Sequence, residues 1–282
     1  MYNKREERIR IFEDTMQLIK VDRELSEAVA YSRQNTKIFN NGKTSPLPNA
    51  RKNNCRITVT KSRSFEAAIN ARKEYHDARI CVLNFASATN PGGGVKNGST
   101  AQEESLCRCS TLYPTLNTEF LWKNYYSPNR ENHNPIHSDV CIYTPDIVIC
   151  RSDDGSSRKL FKEERVKVDV ITCAAPNLRK KPGNAYNPEY GKNVTLSFEQ
   201  QYRVHLSRAK NIMHTAALNN TDILILGAFG CGAFENDPRA VARAMNDSLK
   251  EYRKYFAEVE FAVYCTDRDT RNYNIFAKTI EW

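Results

Sequence analysis

The N-terminal part of the chain carries apolar residues at helical spacing within a strongly charged background. Between residues 5 and 34 the apolar side chains recur every three or four positions, at Ile9, Phe12, Met16 and Ile19. This pattern predicts one or two amphipathic helices that lie on a larger body.

A polar connector follows these helices. Residues 40–54 are rich in Pro and Asn and show no apolar periodicity. Such a composition is typical of a boundary between structural units. We therefore predict two parts, an N-terminal helical accessory segment at residues 1–44 and a main domain at residues 45–282.

Beyond the connector, short apolar runs alternate with longer amphipathic segments. The run Ile80–Phe85 is almost continuously apolar, as expected of a central strand that is covered on both faces. The further predicted strands are 57–60, 140–143, 146–150, 166–172, 223–226 and 259–264. The predicted helices are 65–75, 101–113, 198–218, 238–256 and a short one near the C-terminus. This alternation predicts an α/β fold with a mixed central sheet sandwiched between helices, and residues 180–193, rich in Pro, Gly and Asn, are expected to form a surface loop.

Composition narrows the classes of protein to which the chain can belong. No run approaches the roughly 20 apolar residues of a membrane helix, and the basic N-terminus lacks the apolar run of a secretory signal, so we expect a cytoplasmic protein, or a nuclear one in a eukaryote. The nine cysteines are scattered and no pair has zinc-site spacing, which predicts free thiols and no metal. The net charge of +9 suits an anionic partner, such as a nucleotide, a nucleic acid or a phosphorylated polymer, without choosing among them.

Two predicted strands end in loops that suit an anionic ligand. Residues 84–94 end in the triple glycine Gly92-Gly93-Gly94, and residues 227–234, which hold three glycines, directly follow a strand. Backbone N–H groups of such loops can approach a diphosphate closely, and ligands of open α/β sheets gather at these strand ends. Neither loop matches the phosphate-loop or dinucleotide pattern, so we expect a nucleotide-type ligand without ATP hydrolysis or hydride transfer.

An acidic segment follows the triple glycine after seven intervening residues and consists of Gln102, Glu103 and Glu104. Thr100-x-x-Glu103 matches a helix capping box, so the role of Glu103 could be only to begin the next helix. That explanation leaves Glu104 without a role. Because adjacent helical residues project in different directions, one carboxyl group can orient a substrate hydroxyl while the other exchanges a proton.

The triple glycine and the Gln-Glu-Glu segment together resemble the signature of the bacterial-type poly(ADP-ribose) glycohydrolases, which have the macrodomain fold. Residues 227–234 and the Asn-Asp-Pro after them resemble that family's second diphosphate-binding loop. The similarity runs from about residue 45 to the end, and the N-terminal helices resemble the family's accessory segment. The resemblance implies a macrodomain-like fold and hydrolysis of the ribose–ribose O-glycosidic bonds of poly(ADP-ribose), from the chain end, with release of ADP-ribose.

The resemblance also implies roles for residues of the first loop and the acidic segment. Glu104 would be the general acid that protonates the leaving ribose oxygen and then helps water to attack. Glu103 would bind ribose hydroxyl groups, and Asn90 would contact the same distal ribose. The other implied substrate-binding residues of this region are Gly92, Gly93, Gly94 and Gln102.

The second loop would bind the phosphates through its backbone N–H groups and place the aromatic ring of Phe234 against the distal ribose. Its implied binding residues are Gly230, Cys231, Gly232, Ala233 and Phe234. After the last strand, Asn272 or Phe276 is the expected neighbour of the adenine.

Several alternatives use the same loops. They are removal of a single ADP-ribose from protein or nucleic acid, deacetylation of O-acetyl-ADP-ribose, and binding of ADP-ribose without catalysis. Two carboxylates beside a bound diphosphate weaken its binding unless they serve chemistry, which argues against a non-catalytic protein. The implied partners are ADP-ribose, poly(ADP-ribose) and ADP-ribosylated proteins, with nucleic acid only as a modified substrate and with no cofactor or membrane.

Overall fold

A mixed sheet of seven strands forms the centre of the molecule. The described residues of the computed structural model are 3–40, 46–51, 54–183 and 193–281. The predicted connector and the predicted loop at 180–193 lie partly outside these ranges. The strands are β1 (Lys37–Phe39), β2 (Arg56–Thr60), β3 (Ile80–Phe85), β4 (Cys141–Ile149), β5 (Val166–Cys173), β6 (Ile223–Leu226) and β7 (Glu258–Ala262). Their order across the sheet is β1-β4-β5-β3-β6-β7-β2, with β4 antiparallel to both its neighbours and the other pairs parallel.

Helices cover both faces of this sheet, which confirms the predicted α/β fold. The helices are α1 (Lys4–Val21), α2 (Arg23–Asn35), α3 (Ser64–Glu74), α4 (Gln102–Cys109), α5 (Leu112–Leu116), α6 (Glu119–Leu121), α7 (Ser127–Glu131), α8 (Phe198–Leu218), α9 (Pro238–Tyr252) and α10 (Arg271–Thr279). Leu83 of β3 packs in the cluster formed with α8, α9 and α10, whereas Val82 packs in the cluster formed with α3, α4 and α5. Both faces of β3 are therefore buried, which explains its continuous apolar run. None of the helices in the described ranges is long and apolar enough to cross a membrane.

The two N-terminal helices are amphipathic, as predicted, and pack against the rest of the chain. Phe12 of α1 makes an edge-to-face contact with Tyr113 of α5, with ring centroids 5.0 Å apart. Ile19 and Leu25 form a separate apolar cluster with Val148 of β4. The helix α1 also contacts α4 and the short 3₁₀ turn before it, so the N-terminal segment reaches the region of the acidic residues.

The predicted strands at 140–143 and 146–150 are one continuous strand, β4, so their separation was wrong. The register against β5 shifts between Thr144 and Ile147. Pro145 lacks an N–H for the ladder, and Asp146 has a φ of 55°, so the two residues form a bulge that bends the strand without ending it. The Asp146 N–H donates to Asp169 of β5 at 3.1 Å, which holds the bulge in place.

The predicted helix at 101–113 is also wrong in its extent, because α4 ends at Cys109. Ser110 is extended, with φ −152° and ψ 179°, and forms an isolated bridge with Ile149 at the end of β4. Thr111 then accepts a hydrogen bond from the Val148 N–H before α5 begins. Pairing with β4 thus interrupts the helix, and local sequence could not show that pairing.

Candidate active site

A large cavity opens at the carboxyl ends of the parallel strands β3, β5, β6 and β7. Its volume is about 1030 Å³, which lies at the upper end of the range for small-molecule pockets. Both glycine-rich loops and the start of α4 line it. The lining residues from the predicted site are Asn90, Gly93, Gly94, Gln102, Glu103, Glu104, Gly230, Gly232, Ala233, Phe234 and Asn272.

Glu103 is held at the inner wall of this cavity by the backbone of the first loop. Its Oε2 accepts a hydrogen bond of 2.7 Å from the Ser87 N–H, and its side chain also contacts the Asn84 amide at 3.5 Å. Glu103 is only 2% exposed. Burial, and after it the charge of Glu104, raises the pKa of Glu103 well above its ordinary value.

Glu104 is fixed on one side only. Its Oε1 accepts a hydrogen bond of 2.8 Å from the Gly94 N–H, whereas its buried Oε2 has no hydrogen-bond partner among the described residues. A buried polar atom without a partner is rare and points to a role with a ligand. Glu104 therefore keeps one oxygen that is not committed to a partner within the described residues.

Gly93 is the point at which the two carboxyl groups meet. A Cβ at this position would lie 2.6 Å from Oε1 of Glu104 and 3.0 Å from Oε2 of Glu103. The backbone of Gly93 has a φ of +53°, which side chains rarely adopt. Only glycine therefore allows the loop to approach both carboxyl groups this closely.

Gln102 anchors the start of α4 to β3. Its Oε1 accepts from the Phe85 N–H at 2.8 Å, and its Nε2 donates to the Leu83 carbonyl at 2.7 Å and to Ser64 Oγ at 3.0 Å. These bonds use the donor and acceptor groups of its amide within the protein. Gln102 lines the cavity, but its geometry is that of a residue that positions the two glutamates after it.

The capping-box explanation of Glu103 is wrong. The residue that precedes the first turn of α4 is Ala101, and no side chain caps that turn. Glu103 instead bonds to Ser87 in the loop after β3. Its carboxyl group is thus directed to the cavity wall and not to the helix start.

The second loop presents free backbone N–H groups to the cavity. The N–H groups of Gly230, Gly232 and Ala233 donate to no acceptor within the described ranges, which suits them to phosphate oxygens. The expected donor Cys231 differs, because its N–H already donates to the Ala228 carbonyl at 3.1 Å and its side chain lies outside the cavity lining. Its backbone is occupied by the turn, so the expectation of a phosphate donor there was wrong.

Asn236, which the sequence did not single out as a site residue, shapes this loop. Its side-chain amide donates to the carbonyls of Gly230 and Phe234, at 3.0 and 3.2 Å. Its Oδ1 accepts from His205 Nε2 at 2.8 Å. Burial lowers the pKa of His205 to about 4, so this imidazole is neutral at pH 7 and donates from Nε2. The two residues turn the loop carbonyls inward and leave the N–H groups facing the cavity.

Asn90 is held by a second residue that the sequence did not reveal, Arg130. The guanidinium of Arg130 donates to Oδ1 of Asn90 and, at 2.7 Å, to the Thr89 carbonyl. It also stacks over Trp122 at 4.6 Å from the ring centroid. Because the amide oxygen of Asn90 is occupied, its NH₂ group is the part available to a ligand hydroxyl.

The predicted residues at the far end of the chain separate in the structure. Asn272 lines the cavity, close to the loop after β7. Phe276 is fully buried and packs against Phe261, with ring centroids 5.9 Å apart, so it was wrongly expected beside adenine. Tyr264, which is 53% exposed and lines the same cavity, is an aromatic that the sequence analysis missed.

Gly92 does not line the cavity, and a Cβ there would lie 2.8 Å from the ring of Tyr113. It therefore supports the loop from outside the cavity.

Across the described ranges, no three His, Cys, Asp or Glu side chains come together as a metal site would require.

Comparisons with known proteins show which family and which solved structures the chain resembles. The family described as "Microbial-type PARG, catalytic domain" matches residues 6–152, just over half of the chain. A poly(ADP-ribose) glycohydrolase (PARG) from Thermomonospora curvata is 28% identical over 98% of this chain and 100% of its own, with a TM-score of 0.82. The T. curvata enzyme bound to the inhibitor ADP-HPD is 28% identical over 97% and 99%, with a TM-score of 0.78.

A relative from a second organism has ADP-ribose bound. The PARG from Deinococcus radiodurans in complex with ADP-ribose is 31% identical over 89% of this chain and 96% of its own, with a TM-score of 0.72. No curated protein matches the chain in sequence. The structural matches confirm the macrodomain-like fold, and with the family match they show that the chain belongs to the microbial-type PARG family.

Proposed function

We propose that the protein hydrolyses the ribose–ribose O-glycosidic bonds of poly(ADP-ribose) carried by modified proteins and releases ADP-ribose. The observation that carries this proposal is the meeting of two carboxyl groups at Gly93, in one cavity with a loop of unpaired N–H groups. Membership of the microbial-type PARG family and the ADP-ribose complex of the D. radiodurans relative support it.

The ADP-ribose unit would lie along the cavity between the two loops. Its diphosphate would accept hydrogen bonds from the N–H groups of Gly230, Gly232 and Ala233. Phe234, half-buried at the cavity wall, would pack on the distal ribose, and the NH₂ group of Asn90 would donate to a ribose hydroxyl. Asn272 and Tyr264 would flank the adenine.

Bond cleavage would begin with a proton from the carboxyl group of Glu104. The proton goes to the leaving ribose oxygen as the C–O bond breaks and positive charge develops on the distal ribose. The resulting carboxylate then takes a proton from water as the water oxygen attacks the anomeric carbon. Burial, and after it the charge of Glu104, raises the pKa of Glu103 well above its ordinary value, which disfavours a negative charge on this inner carboxyl group.

Cleavage from the chain end is proposed because the resemblance to the family implies it, and α1 forms one wall of the cavity. Arg5 and Arg8 of this helix line the cavity, and they donate hydrogen bonds to the carbonyls of Asn97 and Gly98, which follow the first glycine-rich loop. The N-terminal segment, predicted at residues 1–44, would thus act as part of the active site.

The compartment is proposed from the thiols. All nine cysteines are free, and six of them are buried. Disulfides form in oxidising compartments and are rare in the cytosol. We place the protein in the cytoplasm on this ground.

Product analysis tests the proposal. The protein is incubated, in EDTA, with a protein that carries radiolabelled poly(ADP-ribose), and products are separated by size from the earliest time point. We expect free ADP-ribose from the start, with no early release of oligomers. Early oligomers would contradict cleavage from the end, and intact polymer despite binding of ADP-ribose would contradict polymer hydrolysis.

A further inference from the structure

We propose that Arg5 and Arg8 of α1 form a binding site for the phosphate groups of the leaving part of the polymer. This inference rests on the proposed function and names the part of the substrate that lies beyond the bond to be broken. The two arginines line the catalytic cavity, although they belong to a segment that the sequence analysis treated as accessory.

Each guanidinium is anchored at one nitrogen and free at the other two. Arg5 Nε donates to the Asn97 carbonyl at 2.8 Å, and Arg8 Nε donates to the Gly98 carbonyl at 2.6 Å. Within the described ranges, the terminal nitrogens of both arginines have no hydrogen-bond or ion-pair partner. Pairs of such nitrogens match the geometry of phosphate oxygens.

The helix that carries these arginines is firmly seated. A Cβ at Gly98 would lie 2.5 Å from the backbone oxygen of Arg5, so helix and loop are in close contact. Farther along α1, Thr15 donates to the Arg108 carbonyl at 2.8 Å, and Arg108 donates to the Ser99 carbonyl at 2.6 Å. The positions of both guanidinium groups are therefore set by the fold.

The loop that anchors the arginines also lies against the proposed acid. Gly94 donates its N–H to Glu104, and a Cβ at Gly94 would lie only 2.3 Å from Oγ of Ser99. Ser99 directly follows the carbonyls that hold Arg5 and Arg8. The arginines thus line the same cavity as Glu104, on the side of the first glycine-rich loop.

The chemistry of the substrate indicates which phosphates reach this side. The ADP-ribose unit that lies between the two loops, and that is released as product, has its diphosphate at residues 230–233 of the second loop. The leaving hydroxyl belongs to the adenosine ribose of the next unit, which carries its own diphosphate. Arg5 and Arg8, which are anchored beside the first glycine-rich loop, would bind that second diphosphate. They would thereby hold the leaving ribose hydroxyl in line with Glu104.

Equilibrium binding tests this site without requiring turnover. In a Glu104→Gln background, affinity is measured for ADP-ribose and for a short poly(ADP-ribose) oligomer of two or three units. We expect Arg5→Gln with Arg8→Gln to weaken oligomer binding by about tenfold or more, since each charged hydrogen bond contributes on the order of a tenfold effect. Binding of ADP-ribose should not change, and the loss should shrink as salt is raised.

Two further variants separate charge from structure. Arg10→Gln removes the same charge from an exposed position on α1 that does not line the cavity, and it should leave oligomer affinity unchanged. Arg5→Lys with Arg8→Lys keeps the charge but changes the anchoring geometry, and it should recover part of the affinity. If the lysine variant bound as poorly as the glutamine variant, seating of the helix would explain the effect and the proposal would fail.

The remaining outcomes also decide. The site would be overturned if the protein with Arg5→Gln and Arg8→Gln bound the oligomer as tightly as the protein with both arginines. It would also be overturned if the two substitutions weakened binding of single-stranded DNA of matched charge as much as binding of the oligomer. If the arginines proved selective for the oligomer while the enzyme released no ADP-ribose, the proposed function would fail and the binding site would stand. If hydrolysis occurred but the arginines had no effect on binding, only the site would fail.

Discussion

The two glycine-rich loops begin alike and use their backbone in opposite ways. Each leaves the carboxyl end of a buried parallel strand, β3 or β6, and each lines the same cavity. In the first loop, the N–H groups of Ser87 and Gly94 donate to the protein's own glutamates. In the second loop, the N–H groups of Gly232 and Ala233 have no acceptor within the described part of the chain.

This difference separates chemistry from binding. The first loop fixes two carboxyl groups before any ligand arrives, and fixed catalytic groups need no reorganisation during reaction. The second loop turns its carbonyls towards Asn236 and offers donors to a ligand. A strand followed by glycines therefore does not identify the role of a loop, which depends on where its N–H groups donate.

Gly93→Ala should give the largest effect and should act on chemistry. The new Cβ would displace both carboxyl groups, and a misplacement of about 1 Å can reduce turnover by about 10²-fold. Affinity for ADP-ribose should change much less. Polymer hydrolysis and ADP-ribose titration measure the two effects, and near-normal turnover would contradict the role assigned to Gly93.

Gly230→Ala should act mainly on binding. The residue has a φ of +75°, and a Cβ would lie 2.4 Å from that of Ala175 and 2.8 Å from the Asn236 amide. Strain of this kind is worth on the order of 1–3 kcal/mol, so we expect roughly tenfold weaker binding of ADP-ribose.

Gly232→Ala is the matched control for both glycine variants. Nothing lies within 4 Å of its added Cβ, and its φ is not positive. The conformation of the loop should stay close to that of the wild type, so any loss of ADP-ribose affinity would come from contact between the new Cβ and the ligand and not from strain. A Gly232→Ala protein as impaired as Gly230→Ala would show that the loop tolerates no side chain, which would remove the contrast.

Glu103→Gln should give the smallest of these effects on the molecule, a pH-dependent increase in the free energy of unfolding. Burial raises the pKa of Glu103 above its ordinary value of 4.5, so ionisation of this carboxyl opposes folding as pH rises. The variant should be more stable than the wild type at pH 7, and the difference should vanish below about pH 4.5. Chemical denaturation across this range measures it, and a variant that is less stable at pH 7 would refute the assignment.

Local sequence predicted the elements whose pattern is set by their own burial. Helix α8 and strand β3 match the prediction because their apolar spacing reflects packing on one or both faces. The end of α4 at Cys109 was not predictable, because it depends on the pairing of Ser110 with Ile149 far along the chain. The three-residue strand β1 was too short to show a pattern.

The residues of the candidate site also fall into those that local sequence could reveal and those that it could not. The acidic pair could be found because its residues are adjacent and follow the triple glycine. Arg130 and the arginines of α1 act on residues that are distant in sequence, so no local signal marked them. Asn236 lies close to the carbonyls that it holds, but its sequence did not show that its amide would be directed at them. Phe276 was misassigned because sequence shows that an aromatic follows the last strand but not whether it faces the core.

The central claim, that Glu104 supplies the proton, is tested most directly by Glu104→Gln. The variant keeps an oxygen for the Gly94 N–H, and Glu103 remains in place. Release of ADP-ribose from polymer and affinity for ADP-ribose are measured on the same preparations. We predict that turnover falls by about 10²- to 10⁴-fold, the usual contribution of a general acid, while ADP-ribose binds as before. Turnover close to that of the wild type in a variant that still binds would contradict the account.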